Sequence, residues 1–439
     1  MLERVKKDKV EFVSLQFCDL LGIPKEVIIP VGELEKALKD GIWFDGSSIE
    51  GFARIQESDQ FLRPDESTYA IIPWMEEKGR TARIICDIYK PDGTPSNLDP
   101  RGVLKRVLRE AEERGFEFNV GPELEFYLVV EDENGQIKPL DYSGYFDFSP
   151  HIGYKILKEI NGALKHFGIV VEASHHEVGF GQYEIDFRYG NALDIADKVL
   201  TLKYTVKEIA QMYGIKATFM PKPFFGMNGS GMHTHMSLFD RENNRNAFYD
   251  YNEKDKYKLS KTAYQFLAGI ISHVKAMTAI LCPTVNSYKR LVAGYEAPVY
   301  ISWACMNRSA LIRVPQWFKT KPQSSRLELR CPDPSSNPYL AFAVMLRAGL
   351  DGIDKNMVPP EPVEENIYQM DEVERFEKNL KSLPHSLFEA IQEMEKDAVI
   401  KETLGKELFE RYLQIKRREY DEFRIQVTKW EIGKYVDLF

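Results

Sequence analysis

The stretch GPELEFYLVV, Gly121 to Val130, decides how the rest of the sequence is read. As a strand it sends Glu123 and Glu125 to one face, two residues apart, and Leu124 and Phe126 to the other. Three more segments repeat the pattern. QYEIDFRY places Gln182, Glu184, Asp186 and Arg188 opposite Tyr183, Ile185, Phe187 and Tyr189. MHTHMSL aligns His233, His235 and Ser237, and SRLELR aligns Arg326, Glu328 and Arg330 against Leu327 and Leu329. A solvated sheet surface alternates in the same way, and for any one strand that explanation suffices. Ordinary exposed faces, however, favour Thr, Lys and mixed polar residues, whereas these four offer carboxylates, imidazoles and guanidinium groups on aromatic and aliphatic backs. A concave sheet enclosing a polar channel accounts for all of them.

Clustered carboxylates without cations repel one another, raise one another's pKa and are costly to desolvate. Cations are therefore expected. With Glu177 from SHHEVGF added, the set is Glu123, Glu125, Glu177, Glu184 and Glu328, with His233 as a lone nitrogen donor. Mostly oxygen donors point to Mg²⁺ or Mn²⁺ rather than Zn²⁺, and two such ions offset most of the charge. Two hard cations facing arginines are equipment for phosphoryl transfer. A zinc hydrolase wants HExxH or a comparable spacing, which neither His175-His176-Glu177 nor His233-Thr234-His235 supplies. The sequence has no GxxxxGK[ST], no Rossmann glycine fingerprint and no kinase catalytic-loop signature. A nucleotide is expected on the sheet rather than on a glycine-rich loop.

The 439 residues exceed what one core usually serves, so two domains are expected. Hydrophobic residues at 44%, charged at 28% and aromatic at 12% describe a folding globular chain and exclude a disordered one. The 58 Lys+Arg against 67 Asp+Glu give a formal charge of −9, which argues against a nucleic-acid partner. No apolar run is read as long enough to cross a bilayer, and MLERVKKDKV lacks the apolar core of a signal peptide, so a cytoplasmic protein without a membrane partner is expected. The five cysteines are scattered, with no CxxC pair, and read as small core residues.

The first hundred residues read as a small α+β module: strands in VEFVSLQFCDLLG, KEVIIP and TARIICDIYKPDG, with a helix in VGELEKALKDG. KPDGTPSNLDP, from Lys90 to Pro100, is a turn-rich connection in which Asp99 reads as the N-cap of a new helix and Pro100 as its first residue. That helix carries Val103, Leu104, Val107, Leu108 and Ala111 on one face and is predicted to stop at Gly115. Strands and helices then alternate to about Met345. Asp351 to Asn366, proline-rich and acidic, reads as a surface excursion before a helical C-terminal layer.

The segments FDGSS (Phe44 to Ser48), GPELEF (Gly121 to Phe126), HHEVGFGQYE (His175 to Glu184) and NGSGMHTHMS (Asn228 to Ser237) continue into NSYKRLVAGYEAP (Asn286 to Pro298), NRSALIRVP (Asn307 to Pro315) and RLELRCPDPSSNPYLAF (Arg326 to Phe342). Together they resemble the bacterial type I glutamine synthetases, in that family's order over nearly the whole chain. The resemblance implies ATP-dependent condensation of glutamate with ammonium through γ-glutamyl phosphate. It also implies an α+β fold: a β-grasp domain at 1–100 and a catalytic domain at 101–439, whose curved antiparallel sheet is flanked by helices.

By the same resemblance, Glu125, Glu177 and Glu184 hold one Mg²⁺ or Mn²⁺, and Glu123, His233 and Glu328 hold the second beside ATP's phosphates. Asn228, Gly229, Arg290, Glu296, Arg308 and Arg330 contact glutamate, where guanidinium forks orient a carboxylate as lysine does not. Glu172, Phe187, Arg188, Tyr189, His235, Ser237, Arg308 and Arg313 contact ATP, with Arg308 at the transferring phosphoryl group. Ammonium must lose a proton before it can attack. Asp45 matches the family's proton acceptor, reaching the adjacent subunit's site, with Ser48, Tyr145 and Glu296 completing the ammonium pocket. Glu296 lies on the 286–298 loop, which reads as a flap over the acyl phosphate with Gly294 at its bend. The catalytic roles thus fall to Asp45, Glu296 and Arg308.

The resemblance implies a homododecamer of two stacked hexamers with active sites between subunits. Parts of the family also bind a transcription regulator, a partner the sequence leaves open. Ala293 replaces a proline found in many relatives. Tyr368 stands in NIYQM, without the NLYDLP context of adenylylated relatives, so the chain is similar to the shorter, feedback-regulated alpha subclass, with Arg54 in GFARIQESD as the regulatory arginine. Each arginine could otherwise be a surface ion pair worth under ~1 kcal/mol. His175, His176, His151, His166, His273 and His385 read as packing or surface residues.

Overall fold

The computed structural model describes residues 1–49, 59–148, 150–252, 254–292, 297–305, 307–316 and 321–439, with the backbone alone at 48 and 76–78. Arg54, Ala293, Gly294 and Glu296, and the side chain of Ser48, lie outside the described residues.

The N-terminal sheet runs in the order Pro24–Pro30, Phe12–Cys18, Thr81–Tyr89, Asp59–Pro64, Ile42–Asp45, with Ala70–Ile71 also paired to Thr81–Tyr89. Phe12–Cys18 and Thr81–Tyr89 run parallel, and the remaining pairs are antiparallel. The VGELEKALKDG segment is a 3₁₀ turn, Val31–Glu33, leading into the helix Leu34–Asp40. The strands Ile42–Asp45 and Asp59–Pro64 were not read from the sequence. The first is only four residues long, too short for a period of two to declare itself.

The large sheet is built on one 16-residue strand, Phe116–Glu131. Its even-numbered residues Phe118, Val120, Leu124, Phe126 and Leu128 are buried against the helices, which leaves the opposite face for polar groups. Met232–Asp240 pairs along one edge of it and Gln182–Phe187 along the other. The main path runs Trp303–Ala304, Ile312–Arg313, Leu327–Leu329, Met232–Asp240, Phe116–Glu131, Gln182–Phe187, Val171–His176, and four short strands pair off it. The fold is the expected α+β arrangement, a small β module joined to a curved sheet with helices. One detail corrects the expectation of an all-antiparallel sheet: the edge pair Trp303–Ala304 and Ile312–Arg313 is parallel.

The helix Pro100–Glu113 begins at an Asp99 cap that accepts the Arg101 amide at 3.1 Å, and Gly115 follows it with φ +80°. Its face of Val103, Leu104, Val107, Leu108 and Ala111 is buried as the periodicity predicts. The helices Lys261–Leu281 and Pro338–Asp354 lie in near backbone contact, since a Cβ on Gly269 would stand 2.1 Å from the Ala348 carbonyl. Against the sequence reading, Lys261–Leu281 is long and apolar enough to cross a membrane. Its burial supplies the reason: 78% of that window lies inside the protein, as a helix apolar on all sides does at the centre of a core.

The 351–366 segment also departs from its reading. Residues up to Asp354 belong to the preceding helix, where Asp351 is buried against His273 at 3.1 Å. Val363 and Ile367 are buried too, with Met370 in a small core of their own.

Candidate active site

Strand register, which no single strand reveals, converts the alternating faces into rows of charge. Glu184 lies opposite Glu125 on one side and His175 on the other. Glu123 lies opposite Asp186 and His233. Glu328 lies opposite His235 and Arg313. Three adjacent rows therefore bring five carboxylates and three imidazoles within reach of one another across the sheet, because side chains directly opposite are near neighbours.

These rows floor two adjoining cavities. One, of about 410 Å³, is lined by residues 119–123 with Glu172, Phe187, Tyr189, His235, Ser237 and Arg326. The other, of about 300 Å³, is lined by Glu125, Glu177, Glu184, His233 and Glu328 with Tyr145, Asn228, Gly229, Arg290, Arg308, Arg313 and Arg330. Glu123 lines both.

The carboxylates are held unequally. Burial works to raise Glu123, but His235 at 2.8 Å and His233 at 3.3 Å outweigh it and hold it far below the usual carboxylate range. Arg326 donates to His235 Nδ1 at 3.2 Å, so the imidazole carries its proton on Nε2 and gives it to Glu123. If His233 donates through Nδ1, its Nε2 lone pair is available to a cation, the arrangement in which a metal-bound imidazole is steadied by a carboxylate. Glu184 is pushed up to about 11, by burial first and then by Glu125, Asp186, Glu123 and Glu177. Asp186 is pushed up to about 6 by burial and by Glu123.

Glu328 is buried, with Arg313 Nε 2.7 Å and Arg330 Nε 3.2 Å away. Those N–H groups are close but misaligned, and Glu328 Oε2 has no hydrogen-bond partner. A buried carboxyl oxygen without a hydrogen bond, in the same cavity as a carboxyl crowded by four others, is a donor set that fits divalent cations.

Residues 97–435 match the catalytic domain of glutamine synthetase, and residues 9–91 match the glutamine synthetase β-grasp domain. The chain belongs to the glutamine synthetase family. It is 50% identical to the glutamine synthetase of Clostridium saccharobutylicum over 442 residues, covering 100% of this chain and 98% of that protein. To the glutamine synthetase of Methanocaldococcus jannaschii it is 51% identical over 446 residues, covering 99% and 97%. Among solved structures, it superposes on apo GmaS with a TM-score of 0.89 at 31% identity, covering 100% and 99%. On the Plasmodium falciparum glutamine synthetase the TM-score is 0.88 at 29% identity, covering 99% and 98%. Bacterial and archaeal relatives are thus about equally similar, so similarity places the chain in the glutamine synthetase family without selecting a bacterial subclass.

Set against the glutamine synthetase resemblance, the donor atoms of Glu123, His233 and Glu328 gather within 4.8 Å. Around Glu184 the donors gathered that closely are His175 and Asp186, while Glu125 and Glu177 share the cavity with it. Glu172, Phe187, Tyr189, His235 and Ser237 line the first cavity, but Arg188 does not, being exposed and 3.8 Å from Glu172. Arg308 and Arg313 line the second cavity. Arg290 is buried and gives Nη1 to the Cys331 carbonyl at 2.7 Å and Nη2 to that of Arg330 at 3.1 Å, which fixes its plane on the cavity wall. Arg330 Nη1 donates to the carbonyl of Arg308. Tyr145 stacks on Phe146 with centroids 4.0 Å apart and meets His175 edge-on. Asp45 lines neither cavity of its own chain: it caps the turn Gly46–Ser48, accepting from Ser47 N at 2.8 Å and Oγ at 2.7 Å.

His175, Asp186, Gln182 and Arg326 were not given roles by sequence reasoning. Asp186, Gln182 and Arg326 had a signal, since they share strand faces with assigned residues. His175 had one too, two residues from Glu177, yet it was read as packing.

Proposed function

We propose that the protein is a glutamate–ammonia ligase. It joins ammonium to L-glutamate with ATP through γ-glutamyl phosphate, and two Mg²⁺ or Mn²⁺ are bound per site. The observation that carries this is the pair of cavities meeting at Glu123, one shaped by aromatic and backbone groups and the other crowded with carboxylates and arginines. ATP occupies the first cavity between Tyr189, Phe187 and His235, with its terminal phosphate at the junction. Glutamate occupies the second, oriented by Arg290, Arg330, Asn228 and Gly229.

One cation is held by Glu125, Glu177 and Glu184 and the other by Glu123, His233 and Glu328. Cations bound there would act as Lewis acids and neutralise the carboxylates and phosphate oxygens. Arg308 faces the γ-phosphoryl group as glutamate's γ-carboxylate oxygen attacks phosphorus and ADP leaves, and its positive charge matches the charge that builds there. Ammonium then loses a proton to Asp45 of the neighbouring subunit, in a pocket with Tyr145, Ser48 and Glu296. The freed nitrogen attacks the acyl carbon and expels phosphate.

That Asp45 faces neither cavity of its own chain supports an assembly in which sites form between subunits, with 1–100 as the module that lends it. The exposed apolar groups Trp43, Trp430, Ile432, Leu438 and Phe439 favour the same reading, a homododecamer of two hexamers. Tyr368 gives its hydroxyl to the Ala297 carbonyl at 2.5 Å, which favours the alpha subclass, controlled by glutamine through Arg54 rather than by adenylylation.

A coupled assay of ADP release tests the function. Release is expected only with glutamate, ammonium and Mg²⁺ or Mn²⁺ together. Release that putrescine supports in place of ammonium would change the acceptor, and none under any of these conditions would overturn the ligase reading.

A further inference from the structure

Beneath the second cavity lies a buried clamp that no part of the proposed reaction uses. Gln182 is 1% exposed, and its side-chain amide touches three separate segments. Nε2 donates to Glu125 Oε2 at 2.8 Å and to the Gly229 carbonyl at 3.2 Å, while Oε1 accepts the Gly179 amide at 3.0 Å. This network assigns the amide's orientation: flipped, it would set a carbonyl against a carboxylate and another carbonyl, and an NH₂ against an N–H. Tyr127, opposite Gln182 in the register, gives its hydroxyl to the Asn228 carbonyl at 2.6 Å. The clamp admits no side chain at residue 179, where a Cβ would stand 2.1 Å from Tyr127 Oη and 2.6 Å from Gln182 Oε1.

Two consequences follow from this geometry. Glu125 Oε2 takes two donors, Gln182 and the Gly231 amide at 3.0 Å, which leaves Oε1 as the oxygen presented to a cation. On the other side, the carbonyls of Asn228 and Gly229 are held by Tyr127 and Gln182, and the Ser230 amide by the Pro221 carbonyl at 2.8 Å. In trans peptides each N–H points opposite the preceding carbonyl, so fixing Asn228's carbonyl aims the Gly229 N–H away from Tyr127. One NH₂ group therefore holds both a cation-binding carboxylate and the backbone proposed to receive glutamate.

We infer that Gln182, aided by Tyr127, is a positioning residue that couples cation binding at Glu125 to glutamate binding at Gly229. The inference rests on the ligase reading. Linkage requires the coupling to be reciprocal: glutamate tightens Mn²⁺ binding by the factor that Mn²⁺ tightens glutamate.

The test uses full-length assembled protein and its Gln182→Met and Tyr127→Phe variants. Mn²⁺ binding is followed by the EPR signal of the free ion, with and without saturating glutamate. KM for glutamate and for ATP is measured at saturating Mn²⁺, and thermal unfolding is recorded without ligands. In the wild type, glutamate is expected to tighten the Mn²⁺ isotherm. In Gln182→Met the glutamate KM is expected to rise about fivefold with the ATP KM unchanged, as loss of the bond that holds the Gly229 carbonyl predicts, and glutamate no longer to move the isotherm. Tyr127→Phe is expected to raise the glutamate KM about threefold, the loss of a neutral hydrogen bond.

A wild-type isotherm indifferent to glutamate overturns the inference, as does coupling that survives in Gln182→Met. A parallel rise in both KM values with a lowered melting temperature does so too, because it marks a general structural role. Should Gln182→Met fail to fold, Tyr127→Phe decides alone: a change confined to glutamate KM supports the clamp, and an unchanged glutamate KM overturns it. Failure of the ligase reading is distinct, since it shows as a wild type without glutamate- and ammonium-dependent ADP release.

Discussion

Around Arg101 and around Glu184 the protein buries charge in opposite ways. The Arg101 guanidinium meets Asp197 at 3.0 and 2.9 Å, Asp87 at 2.6 Å and Asp65 at 2.8 Å. Lys105 adds a bond of 2.5 Å to Asp87, and the Tyr339 hydroxyl caps Asp197 at 2.6 Å. Asp65 and Asp87 come from the N-terminal module and Asp197 from the helix Ala192–Met212, so one buried side chain fastens the module to the rest. Around Glu184 the carboxylates outnumber their partners and Asp186 Oδ1 is buried without a hydrogen bond, while in the cavity that Glu184 lines, Glu328 has Arg313 and Arg330 close by yet its Oε2 also accepts no hydrogen bond. Buried charge closed on itself holds architecture together. Buried charge left open marks where a ligand is needed to complete it.

The contrast can be broken most sharply at Glu328. Glu328→Ala is expected to lower glutamate-dependent ADP release about a thousandfold, through the lost electrostatic stabilisation of phosphoryl transfer, with the size-exclusion profile unchanged. Near-normal turnover would put that carboxylate outside the chemistry. At the closed cluster the reverse is expected. Arg101→Met leaves aspartates buried without their cation and should cost about 3–5 kcal/mol in denaturant unfolding, with kcat/KM of the folded fraction intact. Activity lost without stability would erase the distinction.

A smaller effect sharpens it. Mn²⁺ at about a hundred times its dissociation constant should stabilise the wild type by about 2.7 kcal/mol, and Arg101→Met by the same increment, whereas His233→Ala should lose part of it. Melting curves with and without Mn²⁺ give the answer.

The smallest effect concerns a second closed cluster, His273 bonded to Asp397 at 2.6 Å and Asp351 at 3.1 Å, with Lys355 on the far side of Asp351 at 2.8 Å. Burial lowers the His273 pKa, but the bonds and charges of Asp397 and Asp351 outweigh it and raise it above the ordinary imidazole value of about 6.5. The folded protein therefore holds a proton that the unfolded chain releases near pH 6.5. The resulting stability is complete below that pH and is lost as pH rises through the higher folded value. Thermal midpoints across this range should fall in the wild type and stay flatter in His273→Gln.

Much of the site was legible because strands have a period of two, and acidic residues on one face with Leu and Phe on the other are a strong pattern. Glu123, Glu125, Glu184, His233 and Glu328 were found that way. Register was not legible: nothing in QYEIDFRY announces that Asp186 lies opposite Glu123. The Arg101 cluster was invisible for the same reason, since its aspartates at 65, 87 and 197 meet only through tertiary packing. In the N-terminal module, the long strands Phe12–Cys18 and Thr81–Tyr89 showed themselves, whereas the four-residue Ile42–Asp45 carried too few positions to read.

The strand Phe116–Glu131 passes unbroken beneath both cavities, contributing Asn119 through Glu123 to one and Glu123 with Glu125 to the other. Its backbone is therefore a ruler. At about 3.3 Å per residue, the six steps from Asn119 to Glu125 fix roughly 20 Å between the far ends of the two chambers. Hinging cannot lengthen that span, so a change of substrate size has to be absorbed by the loops around the rim.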